Sequence, residues 1–252
     1  MTKSKAFQPR IYRESMGNER WKTFIVNHLE TDLWIAVSAE KYDPVVETYS
    51  HERIFFYRDI LDKHIQKYPD FLTSLTPLIA PLNLPGIVSS MYEASEMSGT
   101  GPMSAVAGAM AECISNDLIG EFGFGEVIVE NGGDIFMKLL KPATLSVFAG
   151  NSPLSEKIGL VIKPEQTPLS VCCSSATVGH SLSFGTADAC VIACRSGSLA
   201  DAYATACCNS VKNTDMIGEV TEEYLSKPGI LSVVIIKDDK TGMGGEIEIT
   251  LL

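Results

Sequence analysis

The chain has 252 residues, a formal net charge of −11, a pI of about 4.8 and a hydrophobic fraction of 45%. That length suits one large domain or two intertwined lobes, and the apolar content is enough for a sizeable core. The charge excludes a global basic footprint for nucleic acid, so an anionic phosphate must be met locally, by backbone N–H groups, a helix N-terminus or a metal ion.

Met1–Arg10 is polar and basic and lacks an apolar h-region, so no signal peptide is expected. The longest apolar runs, such as Leu231–Ile236, are too short to span a bilayer, and a cytoplasmic location without a membrane partner is the expectation. Thr23–Val26 and Leu33–Val37 run apolar or alternate around Glu30–Asp32, which predicts a β-hairpin. Ile54, Tyr57, Leu61, Ile65 and Tyr68 recur at helical spacing within Val46–Tyr68, and Pro69 stops that helix. Asp70–Pro85 holds three prolines and is expected to be irregular, and Ile87–Met97 is a short helix candidate.

Gly99–Pro102 reads as a turn, with Met103–Ile119 a helix carrying proline near its first position. The early face of that helix is built from Ser104, Ala105, Ala107, Gly108, Ala109 and Ala111, small residues that let a backbone or a ligand come close. Val127–Val129, Ile135–Leu139, Leu145–Phe148, Ile158–Ile162 and Ala189–Cys194 are predicted strands, and Leu199–Val211 is a predicted helix. Ile230–Ile236 and Glu246–Leu251 are expected to form a closing hairpin through Gly242–Gly245. Residues 1–100 are rich in aromatics and charge and residues 101–252 in Gly, Ala, Ser and Cys, which reads as two lobes of one domain spanning 1–252.

Four segments carry possible chemistry. Within Ser198–Ala206, Asp201 and Thr205 lie four apart and share a helix face. A carboxylate and a hydroxyl make a hard-oxygen pair suited to Mg²⁺. The same stretch also fits a helix start, with Ser198 as N-cap and Asp201 at the third position of a capping box. Val129–Ile135 holds Gly132, Gly133 and Asp134 between two strands, which suits either close approach to a ligand or a plain hairpin turn. Gly99–Ala111 is a glycine-rich turn entering a helix, whose N–H groups could meet a pyrophosphate or simply pack closely. Cys172–Ser183 gathers thiols, hydroxyls and His180. The seven cysteines are an odd count, and the vicinal pairs Cys172–Cys173 and Cys207–Cys208 lack CxxC spacing, so structural disulfides and zinc fingers are disfavoured.

In this order the segments resemble the ApbE family of FAD:protein FMN transferases. The matching stretches are Ala105–Ala111, Gly132-Gly-Asp134, Ser174-Ser-Ala176 with His180, and Ala200-Asp-Ala-Tyr-Ala-Thr-Ala206. The length and the phrase Thr177–Gly185 resemble a short, uncharacterised branch of it. The resemblance implies an α/β (α+β), T-fold-related mixed sheet with packed helices. It also implies an FAD or related adenine dinucleotide in a cleft, with Mg²⁺ near the pyrophosphate. Asp201 and Thr205 would be metal ligands, the Ala107 backbone carbonyl a third, and Gly132, Gly133, Asp134 and Ser175 would line the nucleotide site. His180 would act as acid/base or touch the ligand. An acceptor protein and a homodimer are the partners so implied.

Two departures stand out: the family's Lys is Gly108 here, and its H-x-x-D-P-x-T-G loop is replaced by His180–Gly185. Three functions follow as alternatives: a Mg²⁺-dependent flavin-site enzyme of transferase or pyrophosphate-cleaving type, a flavin or nucleotide binder without catalysis, and a cysteine enzyme of redox or sulfur-transfer type using Cys172 and Cys173.

Overall fold

A computed structural model describes residues 20–178 and 184–252. Strands β1 (Trp21–His28) and β2 (Thr31–Ser38) pair in full register, Trp21 opposite Ser38 and His28 opposite Thr31. Helix α1 (Val45–Lys67) buries Val46, Ile54, Leu61 and His64 at helical spacing and ends just before Pro69. One short turn, α2 (Asp70–Thr73), opens the proline-rich stretch expected to be irregular. Beyond it Leu75, Ile79 and Leu82 are exposed, Ile79 almost fully. Helix α3 (Gly86–Ser98) closes on Gly99 in the left-handed region. A 3-10 turn at Pro102–Ala105 then leads into α4 (Val106–Phe122).

The remaining elements are β3 (Val127–Asn131), β4 (Asp134–Lys138), β5 (Ala143–Ser146), β6 (Ile158–Ile162), β7 (Leu169–Ser174), β8 (Ala189–Cys194), α5 (Gly197–Ser210), α6 (Ile217–Leu225), β9 (Ile230–Lys237), β10 (Lys240–Gly245) and β11 (Glu248–Leu251). Eight strands form one sheet in the order β1-β2-β3-β4-β7-β8-β9-β10, and β11-β6-β5 form a second. Every pairing between them is antiparallel.

Strand alternation sends successive side chains to opposite faces of the large sheet. On one face Val26, Ile35, Val129 and Phe136 pack under α1, α3 and α4, while Cys190, Ile192, Val233 and Ile235 pack under α5 and α6. On the other face Ala36, Ile128, Met137, Val171 and Val234 meet Val147, Leu160 and Ile162 from the small sheet or its flank. The result is helices, large sheet and small sheet in three layers, the α+β architecture with packed helices that the sequence implied.

The C-terminal expectation is corrected. Gly242–Gly245 is no turn but part of β10, paired with β9 from Lys240–Lys237 to Gly245–Ser232. Glu248–Leu251 leaves that sheet and pairs with β6. The glycines serve packing: a Cβ on Gly242 would lie 2.6 Å from Ile217 Cγ2, and one on Gly244 would lie 2.7 Å from Leu225 Cδ1. Helix α6 therefore rests directly on the β10 backbone.

Candidate functional site

The motif residues meet where α4 and α5 cross above the β3–β4 hairpin. Two glycines make the crossing possible. A Cβ on Gly108 would sit 2.1 Å from the Gly197 carbonyl oxygen, and one on Gly197 would sit 2.3 Å from the Gly108 carbonyl oxygen. Gly108 thus has no room for a side chain against α5. Glu112, one turn along α4, reaches the start of α5 and accepts the Gly197 N–H at 2.6 Å. Burial pushes the Glu112 carboxyl up, against the lowering effect of the N–H and hydroxyl donors around it.

Asp201 is 9% exposed and points back at α4. Its Oδ2 accepts the Gly108 N–H at 2.9 Å. Burial and the neighbouring Asp134 carboxylate push Asp201 well above the usual carboxylate range, partly countered by the Gly108 and Ala107 N–H groups. The capping box expected around Ser198 is not formed. The N-cap of α5 is Ser196, whose side chain accepts the Leu199 N–H, and Asp201 serves the first turn of the other helix. Thr205 stands one turn beyond Asp201 and is partly exposed.

Gly132 and Gly133 form a two-residue hairpin loop with φ of +70° and +106°. Positive φ at both positions is what the type I′ form of a two-residue hairpin requires. Glu130 accepts the Gly133 N–H at 2.7 Å and fixes the loop. Asp134 follows at once, 7% exposed, and its Oδ1 accepts the Cys173 N–H at 3.2 Å. Asn131 and Asp134 are register partners and share the helix-facing side of the sheet. Asn131 Nδ2 donates to the Ala107 carbonyl at 3.2 Å.

The Ala107–Gly108 peptide is therefore held at both ends. The Asn131 amide meets its carbonyl and the Asp201 carboxylate meets its N–H.

Ser175 Oγ accepts the Thr177 and Val178 N–H groups at 3.1 and 2.9 Å, shaping the turn after β7. His180 lies outside the described residues. Cys172 is sealed beneath α5 and Cys173 is half-buried. Burial and the nearby carboxylates push the Cys172 thiol well up, and burial with Asp134 pushes Cys173 to about 12. An activated thiolate needs the opposite shift. Among the described residues none of the seven cysteines forms a disulfide.

Among the described residues no group of three or more His, Cys, Asp or Glu side chains is placed to hold a metal ion. Two cavities of about 310 and 380 Å³ lie elsewhere, beside Asp188 and beside His28. Neither is lined by the motif residues. Glu112 and Asn131 had readable signals: Glu112 is the acid within an otherwise small or apolar helix start, and Asn131 is the amide beside the double glycine. Their partners are 85 and 24 residues away and cannot be read from spacing.

Residues 13–227 match the protein family described as AbpE bacteria. A UPF0280 protein of Methanococcus aeolicus is 37% identical over 227 residues, covering 88% of this chain and 89% of its own. A UPF0280 protein of Methanocaldococcus jannaschii is 37% identical over 223 residues, covering 86% and 88%. A mutant of the flavin transferase ApbE from Vibrio cholerae matches with a TM-score of 0.60 at 12% identity, over 90% of this chain and 97% of that one. The apo flavinyl transferase ApbE of Pseudomonas stutzeri matches with a TM-score of 0.57 at 12% identity, over 89% and 94%. At these identities the structural likeness is one of fold.

Proposed function

The chain belongs to the AbpE bacteria family, and from that premise we propose that it is a divalent-cation-dependent flavin-site protein of FMN-transferase or pyrophosphate-cleaving type. The carrying observation is the placement of Asp201 and Asp134, two buried carboxylates close enough to perturb one another, at the α4–α5 crossing above the glycine hairpin. Two like charges in a low-dielectric site call for a proton or a cation between them. Asp201 and Thr205 supply hard oxygen donors of the kind Mg²⁺ takes, with Asp134 beside them on the hairpin. When bound, Mg²⁺ would neutralise a pyrophosphate and favour attack at phosphorus.

The chain's own residues would do the rest. The Gly132–Gly133 turn presents backbone without side chains to a nucleotide, and Ser175 shapes the neighbouring wall. His180 is assigned an acid/base or ligand-contact role. FAD or a related adenine dinucleotide is the ligand of this proposal, with a protein acceptor if the transfer is retained. The chain is taken to act as one domain in the cytoplasm. No helix of the described residues is long and apolar enough to cross a membrane. Homodimerisation belongs to the same proposal, supported by the exposed apolar residues Leu75, Ile79 and Leu82.

Calorimetric titration of FAD with Mg²⁺, and again with EDTA, tests the reading on the wild type and on Asp201→Ala. Binding that needs both Mg²⁺ and Asp201 is expected. Absence of FAD binding in every condition would overturn it. A second reading, binding without turnover, is favoured by one observation: the Gly108–Gly197 contact leaves no space for the family's Lys. Stoichiometric FAD binding with no FMN or AMP released would select it. The cysteine-enzyme alternative gains no support from Cys172 and Cys173, whose thiols burial and nearby carboxylates push up, away from the thiolate.

A further inference from the structure

We propose that Asn131 is a positioning residue for Asp201, acting through the Ala107–Gly108 peptide that lies between them. The inference rests on the reading of Asp201 as a cation ligand. Three elements contribute one link each. Asn131 closes β3, and its Nδ2 donates to the Ala107 carbonyl at 3.2 Å. The peptide belongs to the first turn of α4. Its N–H, carried by Gly108, donates to Asp201 Oδ2 on α5 at 2.9 Å.

The relay has a chemical consequence beyond tethering. A donor on an amide carbonyl draws electron density toward oxygen through the partial double bond and makes the N–H at the other end a better donor. Asn131 therefore strengthens the hydrogen bond that orients the Asp201 carboxylate. It also adds a tie from the sheet to a peptide in the first turn of α4, a helix with no side-chain N-cap bond. Outer groups of this kind aim first ligands, and their loss commonly costs a metal site about 10–100-fold in affinity. The same amide is the register partner of Asp134, so one residue ties the hairpin carboxylate to the helix carboxylate.

The experiment compares wild type, Asn131→Ala, Asn131→Thr and Asp201→Ala by Mn²⁺ titration with electron paramagnetic resonance, beside amide NMR of Gly108 and thermal unfolding in EDTA. Asn131→Thr keeps a polar, strand-forming residue that cannot reach Ala107, and replaces the alanine variant if that one misfolds. The expected result is roughly 10–100-fold weaker Mn²⁺ binding and an upfield move of the Gly108 amide proton, in a variant that still unfolds cooperatively. A residue that merely stabilised the fold would lower the melting temperature and leave the Mn²⁺ affinity of the folded protein alone. Wild-type binding that both Asn131 variants preserve, or an unmoved Gly108 resonance, overturns the proposal and spares the cation reading. Failure of the wild type to bind Mn²⁺ overturns the cation reading, and this proposal with it.

Discussion

Gly108→Ala tests the helix crossing on which the whole site depends. The added Cβ would meet the Gly197 carbonyl oxygen at 2.1 Å and the Asp201 Cβ at 2.8 Å. Backbone atoms cannot swing aside as a side-chain end can, so α4 and α5 must separate by roughly 1 Å to restore van der Waals contact. That separation stretches the 2.9 Å bond from the Gly108 N–H to Asp201. Overpacking of this sort costs about 1–3 kcal/mol, and losing a hydrogen bond to a carboxylate about 1.5–3 kcal/mol. Alanine returns about 1 kcal/mol through helix propensity. The net expectation is a loss of about 2–4 kcal/mol, or a melting temperature roughly 5–15 °C lower for a chain of this size. Gly120→Ala is the internal control, because a Cβ there meets nothing within 4 Å on the same helix. It should stabilise by about 0.5–1 kcal/mol. Thermal and urea unfolding followed by circular dichroism measures both. If Gly108→Ala tracks Gly120→Ala upward, the helices do not cross as closely as argued and the explanation for the missing Lys fails.

Other predictions follow from single residues. Gly133→Ala should destabilise by about 1–3 kcal/mol because φ of +106° lies outside the range of ordinary side chains. Gly132→Asn, at +70°, should be tolerated; equal loss from both in urea unfolding would refute the hairpin geometry. Glu112→Ala should cost about 1–3 kcal/mol by stranding the Gly197 N–H, while Glu112→Gln keeps an acceptor there. The pH response separates those two further. The folded state holds the Glu112 proton above the ordinary 4.5, so its contribution is fully present below that value and is lost as pH rises through the folded one. Glu112→Gln should therefore show a flatter stability curve above about pH 4.5, and an unchanged slope would refute the assignment. Iodoacetamide should modify Cys172 and Cys173 in the native protein far more slowly than free cysteine, and labelling at the free-thiol rate, read by mass spectrometry, would restore the cysteine-enzyme alternative.

Much of the fold was legible because local periodicity is local physics. The β1–β2 hairpin, the α1 helix stopped at Pro69, the early sheet strands and the α5 helix all follow from apolar spacing and turn residues. The same reading failed at Gly242–Gly245. Glycine there signals a turn when only neighbours in sequence are considered, whereas α6 packing against the strand is what requires it. The apolar β7 segment runs into a hydroxyl-rich stretch that blurs its end, whereas α6 carries its own signal, burying Ile217, Val220, Thr221 and Tyr224 at helical spacing.

The site divides in the same way. Residue order and spacing determined that Ala105–Ala111, Gly132–Asp134 and Ala200–Ala206 belong together, since the resemblance is carried by those letters. Only the tertiary structure decided which atoms meet. It turned Asp201 toward the Gly108 N–H instead of the start of its own helix, put Ser196 in the cap position, and set Asn131 against the Ala107 carbonyl. The reason is geometric. A hydrogen bond between elements depends on how closely two backbones approach, and here that distance is set by two glycines, Gly108 and Gly197, which lie 89 positions apart along the chain.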